Sequence, residues 1–160
     1  MKFTPRIVAI NTRKLIGVSR SMSISKNSTG ELWKGFRPRV SEITHRASWD
    51  FISLQNYPQD YFKHFDPNMP FEKWAAVEVV NATNIPQGMQ FFELPAGQYA
   101  VFDYKGPSND TSIFQYIYDE WLPHSSYRLD HRPHFEVLGK KYKNNDPNSE
   151  EEIWIPIKDL

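Results

Sequence analysis

The sequence predicts an α+β domain: an antiparallel sheet assembled from two β-α-β-β units, with two helices on one face. Three observations lead there. Short β-branched and aromatic runs bounded by Pro, Gly and Asn dominate the chain, which is the pattern of strands. Only two segments place apolar residues at helical spacing. The order of elements then repeats at an offset of roughly 80 residues, as in an internal duplication.

The first half opens with Arg6 to Ser21, where IVAI and LIGV read as one long strand or a bent pair. Ser28-Thr29-Gly30-Glu31 supplies capping residues ahead of Leu32, Trp33, Phe36 and Val40, which suit a short amphipathic helix that Pro38 kinks or ends. Phe51 to Tyr57 is strand-like and stops at Pro58. Tyr61 to Phe71, rich in Pro, Asn and Asp, reads as an irregular loop. Trp74 to Asn81 is the next strand.

The second half follows the same order. Gln90 to Tyr104, broken at Pro95-Ala96-Gly97, is a bent strand or strand pair. A helix capped from Ser108, Asn109 or Asp110 carries Ile113, Phe114, Ile117 and Trp121 on one face and is expected to stop before Pro123. His134 to Tyr142 and Glu152 to Ile157 are the closing strands, separated by a polar loop. One domain over residues 1–160 is expected, with repeats at about 1–83 and 88–160.

Composition excludes several functions. The 19 basic and 19 acidic residues balance, so no overall field draws the chain to nucleic acid or an anionic membrane. With no cysteine, disulfide scaffolds, CxxC zinc sites and thiol nucleophiles are ruled out. No apolar run approaches membrane-spanning length and no signal-peptide core is visible, so a cytoplasmic location is expected. The five histidines form no HxxxH or HExxH pattern, and no GxSxG, GxGxxG or P-loop motif occurs. No metal or cofactor is expected. The aromatic content, 11 Phe, 8 Tyr and 5 Trp, fits either a well-filled core or an aromatic pocket.

Strand alternation sorts the last two strands by face. Ile153, Ile155 and Ile157 form an aliphatic face expected to meet the helices, with Glu152, Trp154 and Pro156 opposite. Taking Phe135 and Val137 as the helix-facing pair sends Glu136 and Leu138 to the side of Trp154. That expectation puts a carboxylate, an indole and an aliphatic side chain on the face away from the helices. In a closed cleft such a set suits a cationic or hydrogen-bonding aromatic ligand; on an open face it is a solvated glutamate.

Three segments carry a family likeness. Leu94-Pro95-Ala96-Gly97-Gln98-Tyr99-Ala100-Val101-Phe102 with Lys105-Gly106, the helix end Tyr118-Asp119-Glu120-Trp121-Leu122-Pro123, and His134 to Leu138 followed by Glu152 to Ile157 resemble the GyrI-like, or AraC-type effector-binding, domains. The resemblance implies a duplicated fold whose central cleft binds small amphipathic or cationic molecules, in multidrug binding or transcription regulation. By motif position the family's ligand-facing glutamate falls on Glu136 and its last-strand aromatic on Trp154; Ser53 holds the matching place in the first repeat. Leu138, Tyr116, Trp33 and Phe36 are further expected wall residues. The chain starts in the first strand without a helix-turn-helix, so direct DNA binding is not expected. Tyr61, Phe62 and Phe65 either form a lid or pin their loop to the body. Two alternatives stay open. One is a hydrolase of strained electrophiles with Glu136 as base; the other is a gyrase-inhibitor-type module acting on a protein partner not identified by sequence.

Overall fold

The computed structural model describes residues 3–160. The two expected bent strands are strand pairs: β1 (Arg6–Ile10) with β2 (Arg13–Met22), and β5 (Gln90–Leu94) with β6 (Gly97–Lys105). Helix α1 (Thr29–Phe36) runs into a 3-10 turn, Arg37–Glu42, with Pro38 at its start, where a missing N–H costs little. β3 (Phe51–Asn56) and β4 (Phe71–Val79) complete the first half.

In the second half α2 (Ser112–Tyr116) does not stop before Pro123. It continues through a π turn, Ile117–Trp121, into α3 (Leu122–His124), and Pro123 lies in the first turn of that last segment. A short strand missed in the sequence, β7 (Tyr127–Leu129), follows. β8 is only His134–Leu138, because the chain turns at Gly139, and β9 (Glu150–Asp159) is longer than expected.

Among the described residues the sheet has nine antiparallel strands in the order β1-β6-β9-β8-β3-β4-β2-β5, with β7 on β9. The order reads symmetrically about the β3–β8 pair, so β2-α1-β3-β4 answers β6-α2-β8-β9. Each half also lends its leading strand to the other: β1 pairs with β6, and β5 with β2. Register puts both helices on one face. Ala75 opposes Ser53, Ser53 opposes Glu136, Glu136 opposes Ile153, and Ile153 opposes Phe102. Directly opposed residues share a face. Leu32 and Phe36 cover the Ala75–Val77 end of this face, while Ile113 and Ile117 cover the Phe102–Ile155 end.

The other face is closed by curvature. β1 and β2 stand first and seventh in the strand order, yet only Asn11 and Thr12 join them. In a flat sheet six spacings of about 4.8 Å would separate them by roughly 29 Å, and such a link reaches about 11 Å. Pro95 and Ala96 impose the same closure between β5 and β6. The sheet therefore rolls up. Leu15, Leu54, Trp74, Leu94, Tyr99, Phe135 and Trp154 fill the interior of the roll.

Arg132 caps one end of the β6–β9 ladder. Its guanidinium donates to the carbonyls of Gln98 (2.6 Å) and Ile157 (3.0 Å), pairs with Asp130 (2.7 Å), and lies 4.6 Å from the Tyr99 ring centre. Gly97, at φ +152°, lies so close beneath it that a Cβ would collide with the guanidinium.

Candidate functional site

The helix-bearing face is not wholly covered. α1 and α2 sit toward opposite ends of it, and between them β3, β8 and β9 form the floor of a cavity of about 670 Å³. This lies in the range of small-molecule sites. Gln55, His134 and Glu136 supply the polar floor, and Ile153 and Ile155 its apolar part. One wall comes from the second half: Thr111, Phe114, Gln115, Tyr118 and Asp119. The other comes from the segment after β3, through Tyr57, Tyr61, Phe62 and Phe65, with Ile24 beside it.

This corrects the sequence-based face assignment. His134, Glu136 and Leu138 point to the helices, and Phe135 and Val137 point into the roll. The Trp154 ring stacks on Phe135, centroids 5.0 Å apart and planes at 19°, with Tyr99 against its edge. Glu136 and Trp154 thus belong to opposite layers. The cleft lies on the helix side of the sheet, not on the far side. Alternation alone could not decide the β8 assignment, because both of its faces are buried.

Of the expected site residues, Glu136 lies in the floor. Phe36 is fully buried and Trp33 packs edge-on against Phe36 and Phe51 in the α1 core. Tyr116 turns away to donate to the carbonyl of Phe3 (3.3 Å). Leu138 is buried beyond the cavity at the end of β8. None of these four lines the cavity, and Trp154 meets it only at the floor while its ring fills the opposite core. The irregular loop contributes Tyr61, Phe62 and Phe65, as its aromatic richness allowed. The roles of His134, Tyr118 and Gln55 had no sequence signal beyond their places in strand and helix.

The loop aromatics tie the two walls together. Phe62 stacks on the His134 imidazole (5.2 Å, 20°) and leans on Tyr118 (5.6 Å), while Tyr57 meets His134 edge-on at 4.9 Å. The Tyr118 hydroxyl lies 3.1 Å from His134 Nδ1. Desolvation in this aromatic box, helped by Arg132 and His131, pulls the His134 pKa down to about 3, so the ring is neutral. Burial raises the Tyr118 hydroxyl well above its usual range, and the Glu136 charge adds to that. Phe65 remains 75% exposed at the mouth of the cavity.

Beside the floor, on the same face of the sheet, lies a buried charge cluster. Lys73 of β4 is only 6% exposed, and its Nζ meets the Gln55 amide oxygen once that amide is oriented to donate to the His134 carbonyl (3.2 Å). Burial raises the pKa of Glu136 and the Lys73 charge opposes that rise. Glu151 is pushed up to about 8 by burial and then by Glu136. Among the described residues no group of three or more His, Asp or Glu side chains gathers as a metal site, and no helix is long and apolar enough to cross a membrane.

Comparison with known proteins agrees with this architecture. The chain is 30% identical over 158 residues to the transcriptional regulator BrlR of Pseudomonas aeruginosa PAO1; the match takes in 95% of this chain and 54% of BrlR, so the chain spans about half its relative. An integron cassette protein from the mobile metagenome of Vibrio cholerae superposes with a TM-score of 0.67 at 15% identity, covering 98% of this chain and 97% of the other. The structure of SAV2435 bound to tetraphenylphosphonium superposes at 0.70 and 15% identity, covering 99% and 94%. The sequence family of integron-associated effector-binding proteins, Cass2, matches residues 6–157. With its duplicated antiparallel fold and a cleft between the helices, this chain belongs to that GyrI-like effector-binding family.

Proposed function

We propose that the domain captures an amphipathic aromatic small molecule in the cavity between the helices, for sensing or sequestration, within transcription regulation. One observation carries the reading: a cavity of about 670 Å³ walled by Tyr57, Tyr61, Phe62, Phe114 and Tyr118 has a single carboxylate, Glu136, in its floor. Aromatic walls provide flat contact area on a ring, each worth roughly 0.5–1.5 kcal/mol beyond burial. Glu136 then serves as the one strong acceptor, for a cationic group or for a polar hydrogen. The relatives support the setting, since BrlR is a transcriptional regulator and SAV2435 holds tetraphenylphosphonium.

The test is a calorimetric titration of the protein with lipophilic aromatic cations, neutral analogues and anions, for wild type and Glu136→Gln. Saturable binding of cationic or neutral members, weakened at least about tenfold in the variant, is the expected result; that factor is about 1.4 kcal/mol. Absence of binding across the panel overturns the reading. Product analysis of the same mixtures separates capture from hydrolysis, in which Glu136 would activate a water.

A further inference from the structure

Lys73 occupies a position that ligand capture by Glu136 alone does not explain. Among the described residues no lysine or arginine lines the cavity, yet the Lys73 ammonium is buried beside its floor, on the same face of the sheet. Lys73, Ser53, Gln55, Glu136 and Glu151 all project from the helix-bearing face of the adjacent strands β4, β3, β8 and β9. Among the described residues no carboxylate reaches ion-pair distance of Lys73. Its direct partner is the Gln55 amide, and its charge is balanced through space by Glu136 and Glu151.

Burying an ammonium without a contact ion pair is unfavourable unless nearby charge compensates. Glu136 supplies that compensation from the cavity side. Burial and then the Glu136 charge push Glu151 up to about 8, so near neutral pH it adds little negative charge beside Lys73. Burial draws Lys73 and Glu136 toward their neutral forms, and each one's charge opposes that drift in the other. A ligand placed on Glu136 thus meets a carboxylate whose field is already partly cancelled from the Lys73 side. In an apolar wall a fixed positive charge several ångströms away still opposes a second one. A neutral donor group forms the same hydrogen bond with Glu136 without that opposition.

Building on the reading of the cavity as the ligand site, we propose that Lys73 is a specificity-determining residue, setting the cavity for neutral hydrogen-bond-donating aromatic compounds over permanent lipophilic cations. Asp119, exposed at the rim of the α2 wall, is the remaining carboxylate facing the cavity. It lies in solvent, where its attraction for a cation is screened.

The experiment compares tetraphenylphosphonium with triphenylmethanol, a probe of similar aromatic bulk carrying a neutral hydroxyl, by fluorescence titration of wild type and Lys73→Met. Wild type is expected to favour triphenylmethanol, and Lys73→Met to shift the ratio of affinities at least tenfold toward the phosphonium. If Lys73→Met does not fold, Lys73→Gln carries the same comparison. Wild-type preference for the phosphonium, or a ratio unchanged in the variant, overturns the role of Lys73 and leaves the cavity as a ligand site. Failure of both probes to bind folded wild type removes the ligand-site reading, and this inference with it.

Discussion

Ser53 and Glu136 are directly opposed at the centre of the sheet, one from each half of the duplicated fold. The internal symmetry therefore brings the two corresponding positions together, and the sequence places a carboxylate at only one of them. The cavity floor is acidic on one side, with Ser53 buried beside Glu136 and Lys73 beyond it. That asymmetry makes the polar end of the site a single point, while the aromatic walls surround it.

Phe62 closes the gap between the two walls while still 45% exposed. Its ring packs on His134 and Tyr118 across the floor. Phe62→Ala is expected to cost about 1 kcal/mol or less in stability, because half-exposed side chains contribute little burial. Its main effect falls on ligand release, with an off-rate raised about tenfold in stopped-flow displacement. An unchanged off-rate would mean that the 57–65 segment only pins itself to the body.

The neutral His134 predicts an acid-sensitive fold. The folded ring holds its proton only near pH 3, against an ordinary value of 6.5. Between those values the unfolded chain binds a proton that the folded chain does not. This group's contribution is therefore complete above pH 6.5 and is lost as pH falls toward 3, at up to about 1.4 kcal/mol per pH unit. His134→Asn keeps an acceptor near the Tyr118 hydroxyl without the titration. Melting temperatures from pH 7 to pH 4 should fall less steeply in that variant than in wild type.

Trp154 separates a core role from a binding role. Its ring is 7% exposed and stacks on Phe135 within the roll. Trp154→Phe is expected to lower stability by about 1–3 kcal/mol in urea unfolding, while ligand affinity changes less than about threefold. A large loss of affinity in a fully folded variant would return the indole to the ligand.

The sequence by itself determined the order of the main strands and helices, the duplication, the balance of charge and the position of Glu136, because these depend on local pattern, though it missed the short strand β7. Alternating apolar runs, Pro and Gly breaks and two helical stretches are written into consecutive residues. The chain also carried the aromatic loop in plain view at Tyr61, Phe62 and Phe65. It did not determine which face of β8 meets the helices. Phe135 and Glu136 each point into an interior, one filled with side chains and one partly open, so the polar side of β8, His134 and Glu136, does not mark the side away from the helices. Tertiary structure decided that through the two-residue links at Asn11-Thr12 and Pro95-Ala96, which roll the sheet and turn its far face into core. With that face occupied, the cavity falls between the helices, Trp154 goes to the core, and Lys73 comes to lie across β3 from Glu136, from a strand 63 residues earlier in the chain. Pairings at that separation are set by chain closure and register, and neither leaves a mark on the local pattern.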